Sequence, residues 1–339
     1  MSRSCSPTPA LIQRAATVAG FRTTCLLLTL LCLHAASPAS AQSPALQAHA
    51  AQEPITPIPP APMKDPRRVA LGEQLFQDRR LSHDNARSCS SCHDTQTNGA
   101  SANARDTTPR GEPLELNTPT IFNAALSFYL NWEGNFRSFE LEVEQAFSNP
   151  AIMASSVEEI LGKLRADPDE VRQFRDAYGH APDRDSLLDA IAGFERSLVT
   201  PESRFDRWLA GDASAITPEE SSGYRLFKSL GCISCHQGAN VGGNLFQRHG
   251  VFHPLGSPQP ELVRVPSLRN VATTAPYFHD GSAPTLAEAV KAMGFAQLDR
   301  VLTGEQVAAI VAFLNTLTGT YAGRLVAPGA STLHAVTPP

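Results

Sequence analysis

The sequence predicts a mostly α-helical protein made of two domains that repeat one plan. Motifs recur in the same order and at matching distances in the two halves, helix-start signals and 3.6-residue apolar stripes fill the stretches between them, and period-two strand patterns are scarce. Gly72, Leu75 and Phe76 spell GxxLF ahead of a Cys-rich motif, and Gly223, Leu226 and Phe227 do the same ahead of another. Residues 119–123 read Pro-[Ser/Thr]-x-x-Asn, and residues 266–270 repeat the pattern. Ten residues past each Asn an acid precedes a glycine, Glu133-Gly134 in the first half and Asp280-Gly281 in the second.

The helices follow in chain order. Asp65-Pro66 is an N-cap with proline at the first helical position, and Leu71 and Leu75 then share a face. Ser156 with Glu159 forms a capping box ahead of Val157, Ile160, Leu161 and Leu164. Leu187, Ile191, Phe194 and Leu198 make the next apolar stripe. Thr217, Pro218 and Glu220 open the helix that leads into the second Cys motif. Thr285 with Glu288 and Thr303 with Gln306 open two more, the last running through Val307, Ile310, Val311, Leu314 and Leu317 to a stop at Gly319.

The ends of the chain read differently. Residues 1–41 carry Arg3, Arg14 and Arg22 with no acid, then a Leu-rich run too short to span a membrane, then Ala39, Ser40 and Ala41 as a small-residue cleavage site. This is an export signal, and the mature chain is expected to start near Gln42 and to have no membrane span. Residues 42–63 are Pro- and Ala-rich and read as an extended linker. Residues 64–211 and 212–321 are the two domains, and residues 322–339 a flexible tail. The net charge of −5 becomes −8 once the three signal arginines leave, which favours basic partners, and there is no basic run of the kind that binds nucleic acid.

Cys5, Cys25 and Cys32 leave with the export segment. The four remaining cysteines sit in two CxxCH motifs, Cys89, Cys92, His93 and Cys232, Cys235, His236. Paired CxxC motifs also hold tetrahedral zinc, but here a histidine follows each second cysteine and no cysteine is left over. Each motif therefore attaches one haem c by adding two thiols across vinyl groups and placing the histidine under the iron. The expected architecture is two cytochrome c-like domains with one covalent haem each. Haem attachment outside the inner membrane and the export signal agree on a periplasmic location.

The segments LGEQLF, CSSCH, NTPTIFNAAL, NWEGN, GCISCH, VPSLRNVATTAPYFHDG and AVKAMG, taken in order, resemble the bacterial dihaem cytochrome c peroxidases. That group includes the MauG-like enzyme that matures the tryptophan tryptophylquinone of methylamine dehydrogenase. The resemblance implies that His236 and Met293 ligate the electron-transfer haem and that hydrogen peroxide reacts at the haem held by His93. By the residues alone Met293 is as readily a core side chain as a ligand. The resemblance further implies that Trp132 carries electrons between the haems and that Asn117, Thr274 and Pro276 bind Ca²⁺ between the domains. It also implies that a small cytochrome c or cupredoxin supplies the electrons and that the chain forms homodimers.

Overlaying the halves puts Ala146 or Phe147 where Met293 stands, and neither can bind iron. The haem of His93 is thus expected to have an open face. Two departures from the family follow. No histidine lies between His93 and His180, so the distal histidine is missing near Pro109, and the family's distal acid is replaced by Ile152, with Glu112, Glu115 or Glu133 as candidate substitutes. The expected function is peroxide reduction with electrons from a small redox protein. The alternatives are MauG-like oxidation of a residue on a partner protein, and a non-catalytic electron carrier or haem sensor.

Overall fold

The computed structural model describes residues 53–329; the export segment, residues 42–52 of the linker and residues 330–339 of the tail lie outside the described residues. Nine α-helices are present among the described residues, with two short antiparallel hairpins, β1 Phe246–Arg248 with β2 Leu262–Arg264 and β3 Thr320–Tyr321 with β4 Arg324–Leu325. In the first half the helices are α1 Pro66–Phe76, α2 Phe139–Ser148, α3 Val157–Arg165, α4 Pro168–Tyr178 and α5 Arg184–Ser197. In the second they are α6 Arg204–Leu209, α7 Pro218–Ser229, α8 Leu286–Leu298 and α9 Gly304–Asn315.

Each half is built around a crossing of its first and last long helices, α1 on α5 and α7 on α9. The shared GxxLF motif explains how. A Cβ on Gly72 would sit 2.0 Å from the carbonyl oxygen of Ala190, and one on Gly223 would sit 1.9 Å from that of Ala309. Only glycine lets the two backbones touch at these points. Leu75, Phe76, Leu187, Ile191 and Phe194 fill the first core, and Tyr224, Phe227, Ile310, Phe313 and Leu314 the second.

The repeated asparagines take matching places. Asn123 (φ 63°) and Asn270 (φ 60°) both adopt the left-handed conformation ahead of a short 3₁₀ turn, which asparagine tolerates better than other side chains. Their backbone N–H groups donate to Leu198 and Leu317, and both side-chain amides donate to the single hydroxyl of Thr200, at 2.8 and 2.9 Å. Thr200 therefore ties the two halves together at a buried point.

Three expectations need correction. The helix α6, ahead of the expected boundary at 211, packs on the second core: Phe205 meets Tyr224 and Phe313 edge-on. The linker is fastened at its end. Ile55 and Ile58 are buried, Glu53 pairs with Lys228 at 2.8 Å, and the Thr56 carbonyl accepts from Arg269 at 2.9 Å. Gly319 is not the stop of α9, which ends at Asn315; it is a close approach to Thr200, whose carbonyl oxygen a Cβ would meet at 2.0 Å. The start of the tail is ordered too, since Val326 is buried and its N–H donates to Gly319. Ser156 caps α3, but the Glu159 carboxylate turns to Lys163 and His83.

Candidate functional site

Both CxxCH motifs open onto one cavity of about 650 Å³. Cys89–Ser91 and Cys232–Ser234 form matching 3₁₀ turns, and in each the histidine N–H donates back to the first cysteine, at 3.0 Å for His93 and 3.1 Å for His236. This fold-back brings two thiols and one imidazole to the same wall. His93 Nδ1 donates to the Gly99 carbonyl at 3.1 Å, and His236 Nδ1 to that of Val241 at 3.3 Å. With Nδ1 committed, Nε2 is the nitrogen left for a metal. Burial lowers both imidazoles, His236 to about 4, so the rings are neutral and competent as ligands.

Two haems fit this arrangement. The cavity wall is apolar where the macrocycle would lie, with Phe76, Leu130, Phe147, Leu268 and Leu298 among its residues. Arg264 also faces it. Its Nε donates to Asn131 at 2.8 Å, burial lowers it to about 10, and among the described residues it has no ion-pair partner, so a haem propionate would supply its counter-charge.

Met293 lies on α8, eight residues after the Thr285 cap, and lines the cavity. The equivalent count from the Ser138 cap of α2 reaches Ala146, which lines it as well. The structure thus selects Ala146 over Phe147 as the counterpart of Met293. Trp132 is 8% exposed and stands in the same wall, its indole N–H donating to the Asn117 carbonyl at 2.7 Å and its ring 6.4 Å from that of His279. Asn117, Thr274 and Pro276 lie along this wall too. The Asn117 amide nitrogen donates to the carbonyls of Asn103 and Ala104 at 3.1 Å each. These amide and carbonyl oxygens are the donors a hard cation takes.

Ile152 lines the cavity, whereas Glu112, Glu115 and Glu133 are exposed and do not. The acids that do face the cavity are Glu142 on α2 and Glu195 on α5, neither of which was singled out from the sequence. Counting from the Ser138 cap would have found the first, since it places Glu142 one helical turn before Ala146.

Comparison with known proteins agrees with this geometry. Residues 66–214 match the family model for di-haem cytochrome c peroxidase, and residues 221–318 match that for cytochrome c. The cytochrome c551 peroxidase of Nitrosomonas europaea is 38% identical over 80% of this chain and 85% of its own length. The cytochrome c peroxidase Ccp of Escherichia coli is also 38% identical, over 79% of this chain, which spans 62% of that longer protein. Among solved structures, a MauG-like protein associated with microbial copper homeostasis superposes with a TM-score of 0.67 at 26% identity, covering 78% of this chain and 93% of that one. The cofactors are accordingly two covalently bound c-type haems, the protein is an oxidoreductase, and the chain belongs to the dihaem cytochrome c peroxidase family.

Proposed function

We propose that the protein reduces hydrogen peroxide to water with electrons from a small c-type cytochrome or cupredoxin. The observation that carries this is the asymmetry of one cavity: eight residues past its cap α8 brings Met293 to the lining, and eight residues past its cap α2 brings Ala146. When bound, the haems supply one-electron iron chemistry. His236 and Met293 would hold one haem, and a thioether ligand would raise its potential and suit it to receiving electrons. His93 with Ala146 leaves room for a small molecule. Trp132, buried in the common wall, is the route for electrons between them. Asn117, Thr274 and Pro276 hold a Ca²⁺ that stiffens the same wall.

The export signal and the chemistry of haem attachment support a periplasmic location. Among the described residues no helix is long and apolar enough to cross a membrane. A second reading, oxidation of a residue on a partner protein, is favoured by one observation: Ile152, which the resemblance aligns with the family's distal acid, lines the cavity. Purified holoprotein mixed with peroxide, with and without reduced cytochrome c, separates the two. Sustained donor oxidation at two electrons per peroxide supports peroxidase action. Slow or absent donor oxidation, with modification of a co-purified protein, refutes it.

A further inference from the structure

Glu142 and Glu195 enter the cavity from two packed helices, α2 and α5. Glu195 is 5% exposed, and its Oε2 is buried with no hydrogen-bond partner among the described residues. An ionised carboxylate left this way is costly, so the site is built for a proton or a polar guest. Arg196, the cation next to it, offsets its charge only in part, because its guanidinium donates to Glu140, at 2.7 and 2.9 Å. Glu140 adds like charge near Glu195, and the Cys89 thiol beside the pair lines the cavity and is consumed by haem attachment. Glu142 faces the cavity one turn before Ala146, where the other half has Ala289 one turn before Met293. A small apolar residue in one half is thus an acid in the other, next to the position that distinguishes the two centres.

We propose that Glu142 and Glu195 are the proton-holding pair of the pocket facing His93, supplying the function that Ile152 cannot. Burial pushes Glu142 up to about 7, and burial together with the charge of Glu142 holds Glu195 well above the usual carboxylate range. The pair retains a proton at neutral pH for the same reason that two close carboxylates cannot both ionise. In peroxide reduction, H₂O₂ + 2 H⁺ + 2 e⁻ gives 2 H₂O. The O–O bond breaks, both oxygens are reduced, two one-electron donors are oxidised, the pair gives one proton to the departing oxygen, and after reprotonation from solvent it passes the second to the oxygen that remains. This role rests on the peroxide reading above, but its test does not.

Cyanide binding to the ferric holoprotein is the probe, because hydrogen cyanide must give up its proton to a base in the pocket before the anion can bind. The native protein is expected to show a step near neutral pH in the association rate. Glu142→Gln should remove the step and slow binding at least tenfold, Glu142→Asp should restore part of it, and surface Glu133→Gln should change nothing. Difference infrared spectra should show a protonated carboxyl band near neutral pH that Glu195→Gln deletes. If peroxide is consumed, Glu142→Gln should slow it by about a hundredfold. A native cyanide profile in Glu142→Gln, with normal haem content and melting, overturns the proposal. A native protein inert to peroxide that keeps its Glu142-dependent cyanide step supports the pair and removes only the peroxide reading.

Discussion

Gly72→Ala isolates the contact on which the first half is built. An added Cβ would stand 2.0 Å from the Ala190 carbonyl oxygen, 2.7 Å from its carbon and 2.9 Å from the Phe194 Cβ. Ordinary contact for such atoms is about 3.5 Å, so α1 and α5 must separate by roughly 1.5 Å or bend. Overpacking of this kind costs about 1–3 kcal/mol, and here the obstacle is backbone, which places the cost at the upper end. Alanine gains back about 1 kcal/mol of helix propensity. The net loss expected is about 2 kcal/mol, read as a lower urea midpoint with unchanged slope. Gly162 is the internal control: it lies in α3, and an added Cβ meets nothing within 4 Å. Gly162→Ala should therefore stabilise, by about 0.5–1 kcal/mol. Phe76 and Glu195 line the cavity from these two helices, so Gly72→Ala should also disturb the absorption of the haem held by His93 more than that of the other. Stabilisation by both substitutions would show that α1 and α5 do not cross at Gly72.

Other outcomes can be stated more briefly. Met293→Ala should abolish the near-infrared signature of a His/Met haem and leave the other haem's spectrum unchanged; two unaltered spectra would remove Met293 as a ligand. Asp206→Ala leaves Arg269, whose side chain is 0% exposed and whose partner stands 2.8 Å away, as a buried unpaired charge, and should cost about 3–5 kcal/mol in urea unfolding. Replacing both partners with apolar residues should recover most of that. Stability should fall as pH rises, because burial holds Glu142 near 7 in the folded chain against an ordinary value of 4.5. The folded state keeps a proton that the unfolded chain has released, so this contribution is full below about 4.5 and lost as pH passes about 7. Urea midpoints at acid and alkaline pH should diverge less in Glu142→Gln than in the native chain; equal divergence would place the titration elsewhere.

The features legible in the sequence are those that demand one residue type. Cysteine and histidine attach and ligate haem, glycine permits the helix crossings at Gly72 and Gly223, and asparagine sits in the left-handed turns at Asn123 and Asn270, so each left a mark at matching positions in both halves. What escaped were features set by packing. The helix α6 has six residues, too few for a period, and its allegiance to the second core depends on Phe205 meeting Tyr224 and Phe313. Ile55 and Ile58 are two apolar residues in a Pro-rich run, and composition alone cannot tell a tether from a segment seated on Arg269.

Glu142 was hidden for a related reason. Glu140, Glu142 and Glu144 alternate along α2, and a helix does not present alternate residues together. Once Ser138 is fixed as the cap, the apolar residues Phe139, Val143 and Phe147 turn to the core, Glu140 pairs with Arg196 and Glu144 with Arg184, and Glu142 is carried inward beside Glu195. The two halves of the chain thus share a frame, and on that frame the helices α2 and α8 present different faces to the cavity. On α8 that face presents Ala289 and Met293, a thioether with no proton to give; on α2 it presents Glu142 and Ala146, an acid beside an open position. On the proposed reading, that face gives one centre a fixed ligand and the other a space with a proton at its edge.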